Sequence, residues 1–201
     1  MKSLLTTTAT CVGRVLFLGL FVASLAACKK DKEDGPITTP TPVNEEELIT
    51  TLILTFTDTT APTNTYELRF TDLDGESGNP PVITGDTLAA GATYQLSIRV
   101  LDESGPVADE ITTEILQEDE EHQFFFLVTG ADLQISYADA DADGMPVGLS
   151  NTAITGAASS GSLRVTLIHQ PVKAAAGVSS GLIDNAGGET DIAVDLPVVI
   201  Q

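Results

Sequence analysis

Between residues 45 and 201, apolar and polar side chains alternate with a period of two, and this pattern limits the fold more than any other feature of the sequence. The alternation is clearest in residues 94–100, 163–167 and 192–196. A strand with one face in a core alternates in this way, because successive side chains point to opposite faces. The pattern predicts eight strands, near residues 47–57, 64–71, 92–101, 111–117, 121–129, 132–138, 162–169 and 190–200.

Eight antiparallel strands joined by glycine-rich connections favour a single immunoglobulin-like β-sandwich over residues 45–201. A closed β-barrel is the alternative. No stretch of this region shows a sustained helical stripe with caps. Its length is sufficient for one domain with its own core, and an apolar content of 42% for the whole chain is typical of globular proteins.

Residues 1–27 have the pattern of a secretory signal peptide. Lys2 and Arg14 give a positive start, an apolar run follows, and the small residues Ala26 and Ala27 precede Cys28. The run from 15 to 27 is shorter than the roughly 20 apolar residues that a membrane-spanning helix needs. The sequence therefore predicts an exported chain.

Leu25-Ala26-Ala27-Cys28 resembles the lipobox of bacterial lipoproteins, and Lys32-Glu33-Asp34 resembles the export signal of Bacteroidota lipoproteins at the outer face of the outer membrane. The resemblance implies that Cys28 is acylated on its sulfur and becomes the first residue of the mature chain. It also implies a lipid-anchored outer-membrane protein at the cell surface, with the periplasmic face as the alternative. Two or more acyl chains suffice for stable anchoring.

Residues 28–44 are predicted to form an extended tether, because Pro36, Pro40 and Pro42 disfavour helices and paired strands. Once the signal peptide is removed, seven basic residues stand against 29 acidic ones. This balance argues against nucleic acid as a partner and favours cations or basic partners. Cys11 lies in the signal peptide, so the mature chain keeps Cys28 alone and has no internal disulfide.

Acidic residues are concentrated in a few connections between the predicted strands. If successive strands alternate in direction, the connections after the second, fourth and sixth strands lie at one end of the domain. These connections hold Asp72, Asp74 and Glu76, residues 118–121, and Asp139, Asp141 and Asp143. Carboxylates crowded in this way repel one another unless a cation or solvent separates them.

The spacing Asp139-x-Asp141-x-Asp143-Gly144 resembles the first half of an EF-hand calcium loop, in which alternate side chains converge on one hard ion. The twelfth position is Ser150 rather than glutamate, and no flanking helices are predicted, so an EF-hand itself is excluded. One prediction is a calcium ion held by the acidic connections. The alternative is a soluble acidic turn without an ion.

Strict alternation of strand direction places His122 at the acidic end and His169 at the opposite end, too far apart to share a transition metal. The connection 170–188 is long for a compact domain, and such connections are often functional. It follows His169 and carries Lys173, which makes it a candidate binding loop. The stretch from His169 to Ile192 resembles the tails of uncharacterised Bacteroidota lipoproteins, which implies no activity.

Catalytic patterns are weak. Gly177-x-Ser179-x-Gly181 matches the nucleophile elbow of hydrolases, but that chemistry needs a later histidine and none follows Ser179. We therefore expect a non-enzymatic lipoprotein that binds a protein or a small ligand or has a structural role. The alternative is an accessory of an outer-membrane uptake system that captures a ligand or an ion.

The run Phe124-Phe125-Phe126 bears on where binding occurs, because in a strand one of the three rings faces away from the other two. Either the strand is covered on both faces, or an apolar patch is exposed to a partner.

Overall fold

The computed structural model describes residues 47–75 and 78–201 of the chain. Its elements are, in order, β1 (Thr51–Asp58), β2 (Thr65–Thr71), β3 (Val82–Gly85), β4 (Thr93–Leu101), α1 (Ile111–Gln117), β5 (His122–Thr129), β6 (Leu133–Tyr137), β7 (Ser150–Thr155), β8 (Ser159–His169) and β9 (Glu189–Ile200). Single 3₁₀ turns lie at Asp119–Glu121, Val178–Ser180 and Ile183–Asn185.

The strands form two antiparallel sheets. One has six strands in the order β3-β2-β1-β4-β7-β6, and the other has three in the order β5-β8-β9. The sheets do not close into a barrel, so the predicted antiparallel β-sandwich is confirmed and the barrel alternative is wrong.

The core lies between the two sheets and is built from the alternating positions that the sequence pattern indicated. Leu96, Ile98 and Val100 of β4 face Leu163 and Val165 of β8 across one continuous apolar cluster. Each fully buried side chain of this size contributes about 1.5–3 kcal/mol to folding. The outward positions between them are polar, which is the arrangement expected of a sheet with one wet face.

Three elements differ from the sequence prediction. Residues 111–117 form the helix α1 rather than a strand, and β3 and β7 were not predicted. In α1, Ile111 and Ile115 are buried on one helical face, and the Thr112 hydroxyl donates a hydrogen bond to the Val100 carbonyl. The helix thus covers one end of the core.

The additional strand β3 reverses the direction expected for β4, and β7 reverses that expected for β8, whereas β5 and β6 keep their expected direction because the helix α1 replaces a predicted strand. β1 begins beside the ends of β2 and β4, because Thr51 pairs with both Thr71 and Leu101. In the smaller sheet, β5 begins beside the end of β8 through the pair His122 and His169. Each unpredicted strand reverses the direction expected for the next one.

One end of the sandwich, which we call the acidic end, therefore gathers more segments than predicted. It holds residues 47–50, 72–75, 102–110, 118–121, 139–149 and 170–188. Hydrogen bonds join these segments across the two sheets, for example from the Phe124 amide to the Val147 carbonyl. His169, which strict alternation of strand direction placed at the opposite end, therefore lies at this end together with the connection 170–188 that follows it.

Candidate functional site

The predicted separation of the two histidines is wrong. His122 and His169 are direct cross-strand partners, and their rings stack with centroids 4.5 Å apart and planes 17° apart. Their side chains are 0% and 5% exposed. Both rings lie on the face of the smaller sheet that carries Phe124 and Leu167, because these positions are two residues away along each strand.

The protonation of His122 follows from its hydrogen bond. Its Nδ1 lies 3.1 Å from the Glu118 carbonyl oxygen, which can only accept, so Nδ1 carries the proton. Burial lowers the pKa of His122 and keeps the ring neutral. The other nitrogen, Nε2, then carries a lone pair and has no hydrogen-bond partner in the part of the chain that the structure describes.

Carboxylates surround the histidine pair. Asp191 Oδ2 lies 3.9 Å from His122 Nε2, and Glu121 Oε2 lies 3.7 Å from His169 Nε2. Asp191 occupies an irregular position in β9, where the pairing with β8 shifts after Leu167. A bulge of this kind re-aims a side chain that would otherwise point to the other face.

One group of residues at the acidic end has the spacing of a metal site. A ring nitrogen from each of His122 and His169 and a carboxylate oxygen of Glu118 all lie within 4.8 Å of one another. In the described ranges 47–75 and 78–201, the carboxylates of Asp139, Asp141 and Asp143 form no such group.

Glu47 lies in the same acidic surroundings. Burial and the neighbouring carboxylates Glu114, Glu118 and Asp191 raise the pKa of Glu47 to about 7. Its carboxyl group also shares a hydrogen bond with Glu114. Negative charge is therefore concentrated beside the histidine pair.

The loop at residues 139–144 is organised by hydrogen bonds within the chain. Asp139 accepts bonds of 2.8 Å from the amides of Gly148 and Ser150. Asp141 Oδ1 accepts from the amides of Asp143 and Met145, at 3.1 and 2.8 Å. These two carboxylates thus serve as acceptors for the turn that leads into β7.

Lys173 supplies the cation of this loop. Its Nζ lies 2.8 Å from Asp141 Oδ2 and also donates to the Asp119 carbonyl, and the two charged side chains are 6% and 2% exposed. Burial by itself would raise the pKa of Asp141, but the bonds from Lys173 and Met145 outweigh it and the pKa is lowered. Lys173 therefore holds the connection 170–188 to the loop and is buried rather than available at the surface. Calcium binding here stays a prediction, and an ion would have to replace this ammonium group.

The other predicted calcium ligands lie elsewhere at the acidic end. Asp72 accepts a hydrogen bond from the Gly75 amide, and Asp74 accepts bonds from the amide and side chain of Asn79. These bonds lower the pKa of Asp74. Glu76 lies outside the described residues.

The connection 170–188 folds over the outer face of the smaller sheet. Val178 and Ala186 pack against Phe125 and Ile168 in a second apolar cluster, and Gln123 donates a 2.9 Å bond to the Val178 carbonyl. Phe125 is therefore buried. At this position β5 is covered on both faces, which is one of the two alternatives predicted for the run of three phenylalanines.

A groove remains open beside this covered region. Its volume is about 490 Å³. The smaller sheet lines it with Phe125, Phe126, Leu127, Arg164, Thr166, Thr190 and Ala193, and the connection lines it with Gly181, Leu182, Ile183 and Asp184. Leu127 and Leu182 are each 61% exposed, so the groove presents apolar surface to solvent.

Cys28 and the segment Lys32-Glu33-Asp34 lie outside the described residues, and their predicted roles stay predictions. Within residues 47–75 and 78–201, no helix is both long and apolar enough to cross a bilayer. Comparisons with protein-family models, curated proteins and solved structures found no match to this chain.

Proposed function

We propose that the chain is a lipid-anchored, non-enzymatic binding protein of the cell envelope whose sandwich domain holds an apolar ligand in the groove under residues 181–184. The observation that carries the binding role is this groove, because exposed leucines line a concave surface of about 490 Å³. Pockets for small ligands have volumes of about 300–1,000 Å³ and mostly apolar walls. The anchor rests on the lipobox-like sequence before Cys28.

The lining residues define the chemistry of the ligand. Leu127 and Ala193 contribute apolar surface from the sheet, and Leu182 and Ile183 contribute it from the connection. Such surfaces favour an uncharged aromatic or aliphatic body, because its transfer from water is driven by buried apolar area. Arg164 lines the same groove and forms an ion pair with Asp195 on the exposed face of the sheet.

A groove-filling substitution tests the binding role. Ala193 is exposed on β9, so Ala193→Phe places a ring in the groove without entering the core. We expect the affinity for Nile red, an uncharged apolar fluorophore, to fall at least about tenfold, which corresponds to 1.4 kcal/mol. Fluorescence titration of the purified chain measures this affinity.

The matched control is Ser97→Phe, which places the same ring on an exposed position of β4 in the other sheet. We expect this variant to bind Nile red as the parent does. Equal affinities of Ala193→Phe and the parent would overturn the assignment of the groove.

The anchor has its own pair of variants. We expect Cys28→Ala to move the protein from the detergent-rich to the aqueous fraction in phase partitioning, because the acyl chains are lost. Cys11→Ala lies within the predicted signal peptide and should leave the partitioning of the mature protein unchanged. Equal partitioning of Cys28→Ala and the parent would contradict the lipid anchor.

A further inference from the structure

Two buried imidazole nitrogens at the acidic end have no hydrogen-bond partner among residues 47–75 and 78–201. They are Nε2 of His122 and Nδ1 of His169. Leaving a buried polar atom unpaired is unfavourable, and native proteins keep few such atoms. Two of them on stacked rings are unlike the hydrogen-bonded carboxylates of Asp139 and Asp141 nearby.

The hydrogen bond of His122 prepares its other nitrogen for a cation. Because Nδ1 donates to the Glu118 carbonyl, the lone pair lies on Nε2. In metal-binding histidines, the N–H group of the second ring nitrogen commonly donates a hydrogen bond to a backbone carbonyl or a carboxylate. This bond fixes the tautomer and the ring orientation. For His169, Glu121 lies on the Nε2 side and leaves Nδ1 as the unpaired atom.

A carboxylate completes the donor set. Glu118 contributes an oxygen within 4.8 Å of a ring nitrogen of both histidines, and the Asp191 carboxylate is 3.9 Å from His122 Nε2. We propose that His122, His169 and Glu118 bind a divalent transition-metal ion of the zinc type, with Asp191 beside the fourth position. This site is separate from the apolar groove and does not depend on it.

The donor types select the class of ion. Imidazole and carboxylate together suit zinc, copper, nickel and cobalt, whereas calcium takes oxygen ligands almost alone. Zinc binds nitrogen at about 2.0–2.1 Å, so two ligands of one ion lie at most about 4.2 Å apart. The side chains must approach slightly and one ring must turn, and the exposed Glu118 side chain is free to move inward.

The site joins segments that are distant in the sequence. Glu118 follows α1, His122 begins β5, and His169 is the last residue of β8 before the connection 170–188. A bound ion would therefore clamp the segment after α1 to the start of this connection. Glu118 is the exposed member of the three, so an ion enters past its side chain.

Zinc titration tests the site in the whole chain. The purified protein is kept in mild detergent after treatment with a chelator, and a variant with Cys11 and Cys28 replaced by alanine is the control for binding by thiols. We expect calorimetry to show one zinc ion per chain. Cobalt should give the visible absorption of a low-symmetry site with nitrogen and oxygen ligands.

Single substitutions assign the ligands. We expect His122→Gln and His169→Gln each to lower zinc affinity at least about 100-fold, because losing a mere outer-shell partner already costs about 10- to 100-fold. Glu118→Gln should also weaken binding, and its exposed position leaves folding intact. Glu120→Gln, an exposed neighbouring acid outside the group, should change affinity less than about twofold, as expected of a screened surface charge.

Absence of zinc binding by the parent chain would overturn the proposal. Equal zinc affinity of the parent and Glu118→Gln would remove Glu118 from the site. If both histidine variants bound zinc as tightly as the parent does, the site as a whole would be overturned. Competition from millimolar calcium would also contradict it, because a site with two imidazoles discriminates against calcium.

Discussion

The loop at residues 139–144 and the histidine pair both lie at the acidic end, but their polar atoms are satisfied in opposite ways. In the loop, the carboxylates of Asp139 and Asp141 accept hydrogen bonds from backbone amides and from Lys173. In the pair, one nitrogen of His122 and one of His169 are buried without a hydrogen-bond partner among the described residues. The loop carboxylates are thus already engaged by donors of the chain itself, whereas the histidine pair keeps two ring nitrogens that an ion could bind.

The largest expected effect comes from removing the cation of the loop. Lys173→Met leaves the Asp141 carboxylate buried without its ion-pair partner. We expect the free energy of unfolding to fall by about 3 kcal/mol, because an uncompensated buried charge is costly. Urea denaturation followed by circular dichroism measures the loss.

Arg164→Met provides the control, because Arg164 and Asp195 form an ion pair with both side chains more than half exposed. We expect it to cost less than about 1 kcal/mol. If the two substitutions cost the same, Lys173 does not complete the loop as described.

A substitution in the histidine pair should have an effect that depends on metal. His169→Phe replaces the imidazole, which carries an unpaired nitrogen, by an apolar ring. We therefore expect the free energy of unfolding of the metal-free variant to rise by about 1 kcal/mol. Zinc at 100 times its dissociation constant should stabilise the parent by about 2.7 kcal/mol and leave the variant unchanged. The order of melting temperatures therefore reverses when zinc is added.

A lower melting temperature of metal-free His169→Phe would contradict the penalty assigned to the buried nitrogen. An order that zinc leaves unchanged would count against the metal site itself.

The Lys173→Met variant also sharpens the calcium prediction for Asp139, Asp141 and Asp143. In the parent, an ion must replace the Lys173 ammonium at Asp141. We therefore expect calcium affinity to be at least about tenfold higher in the variant, which corresponds to 1.4 kcal/mol. Calorimetric titration of both proteins decides this, and equal heats would show that calcium does not bind at this loop.

The smallest expected effect concerns Glu47. Its pKa of about 7 lies above the usual value of 4.5, so the folded chain favours the neutral acid. This contribution is complete below pH 4.5 and is lost as the pH rises through 7. Solvent screening limits it to less than about 1 kcal/mol, because the side chain is only partly buried.

Glu47→Gln should remove this part of the pH dependence. Between pH 4.5 and pH 7.5, we expect the free energy of unfolding of the parent to fall by more than that of Glu47→Gln. Parallel pH profiles would show that Glu114, Glu118 and Asp191 do not act on Glu47.

The sandwich could be predicted from the sequence because its central strands have strictly alternating apolar positions, as in β4 and β8. The edge strand β3 was missed because all four of its residues are exposed, which leaves no alternation. β7 was missed because Asn151 and Thr155 are among its buried positions. The helix α1 is rich in β-branched residues, and seven residues are too few for a helical period to stand out.

The acidic end was partly predictable, whereas the histidine pair was not. Its acidic connections were recognised from composition, but the direction of β8 depended on the missed strand β7, because the effects of β3 and of the helix α1 on strand direction cancel. Once that direction is known, the ends of β5 and β8 meet, and His122 faces His169 through register alone. Neither this pair nor the bonding of Asp141 by Lys173 has a local signature in the sequence.

The hairpin of β8 and β9 brings the two ends of the connection 170–188 together. His169 pairs with Glu189, so the connection leaves and returns at adjacent positions, and Gly188 allows the close approach because a Cβ there would meet the His169 carbonyl oxygen at 2.2 Å. The strand pairing does not require an excursion of this length. Both ends of the connection are therefore fixed by the hairpin, and its interior is fixed by Lys173, Val178 and Ala186, so a change anywhere in this segment is transmitted to both the acidic end and the outer face of the smaller sheet.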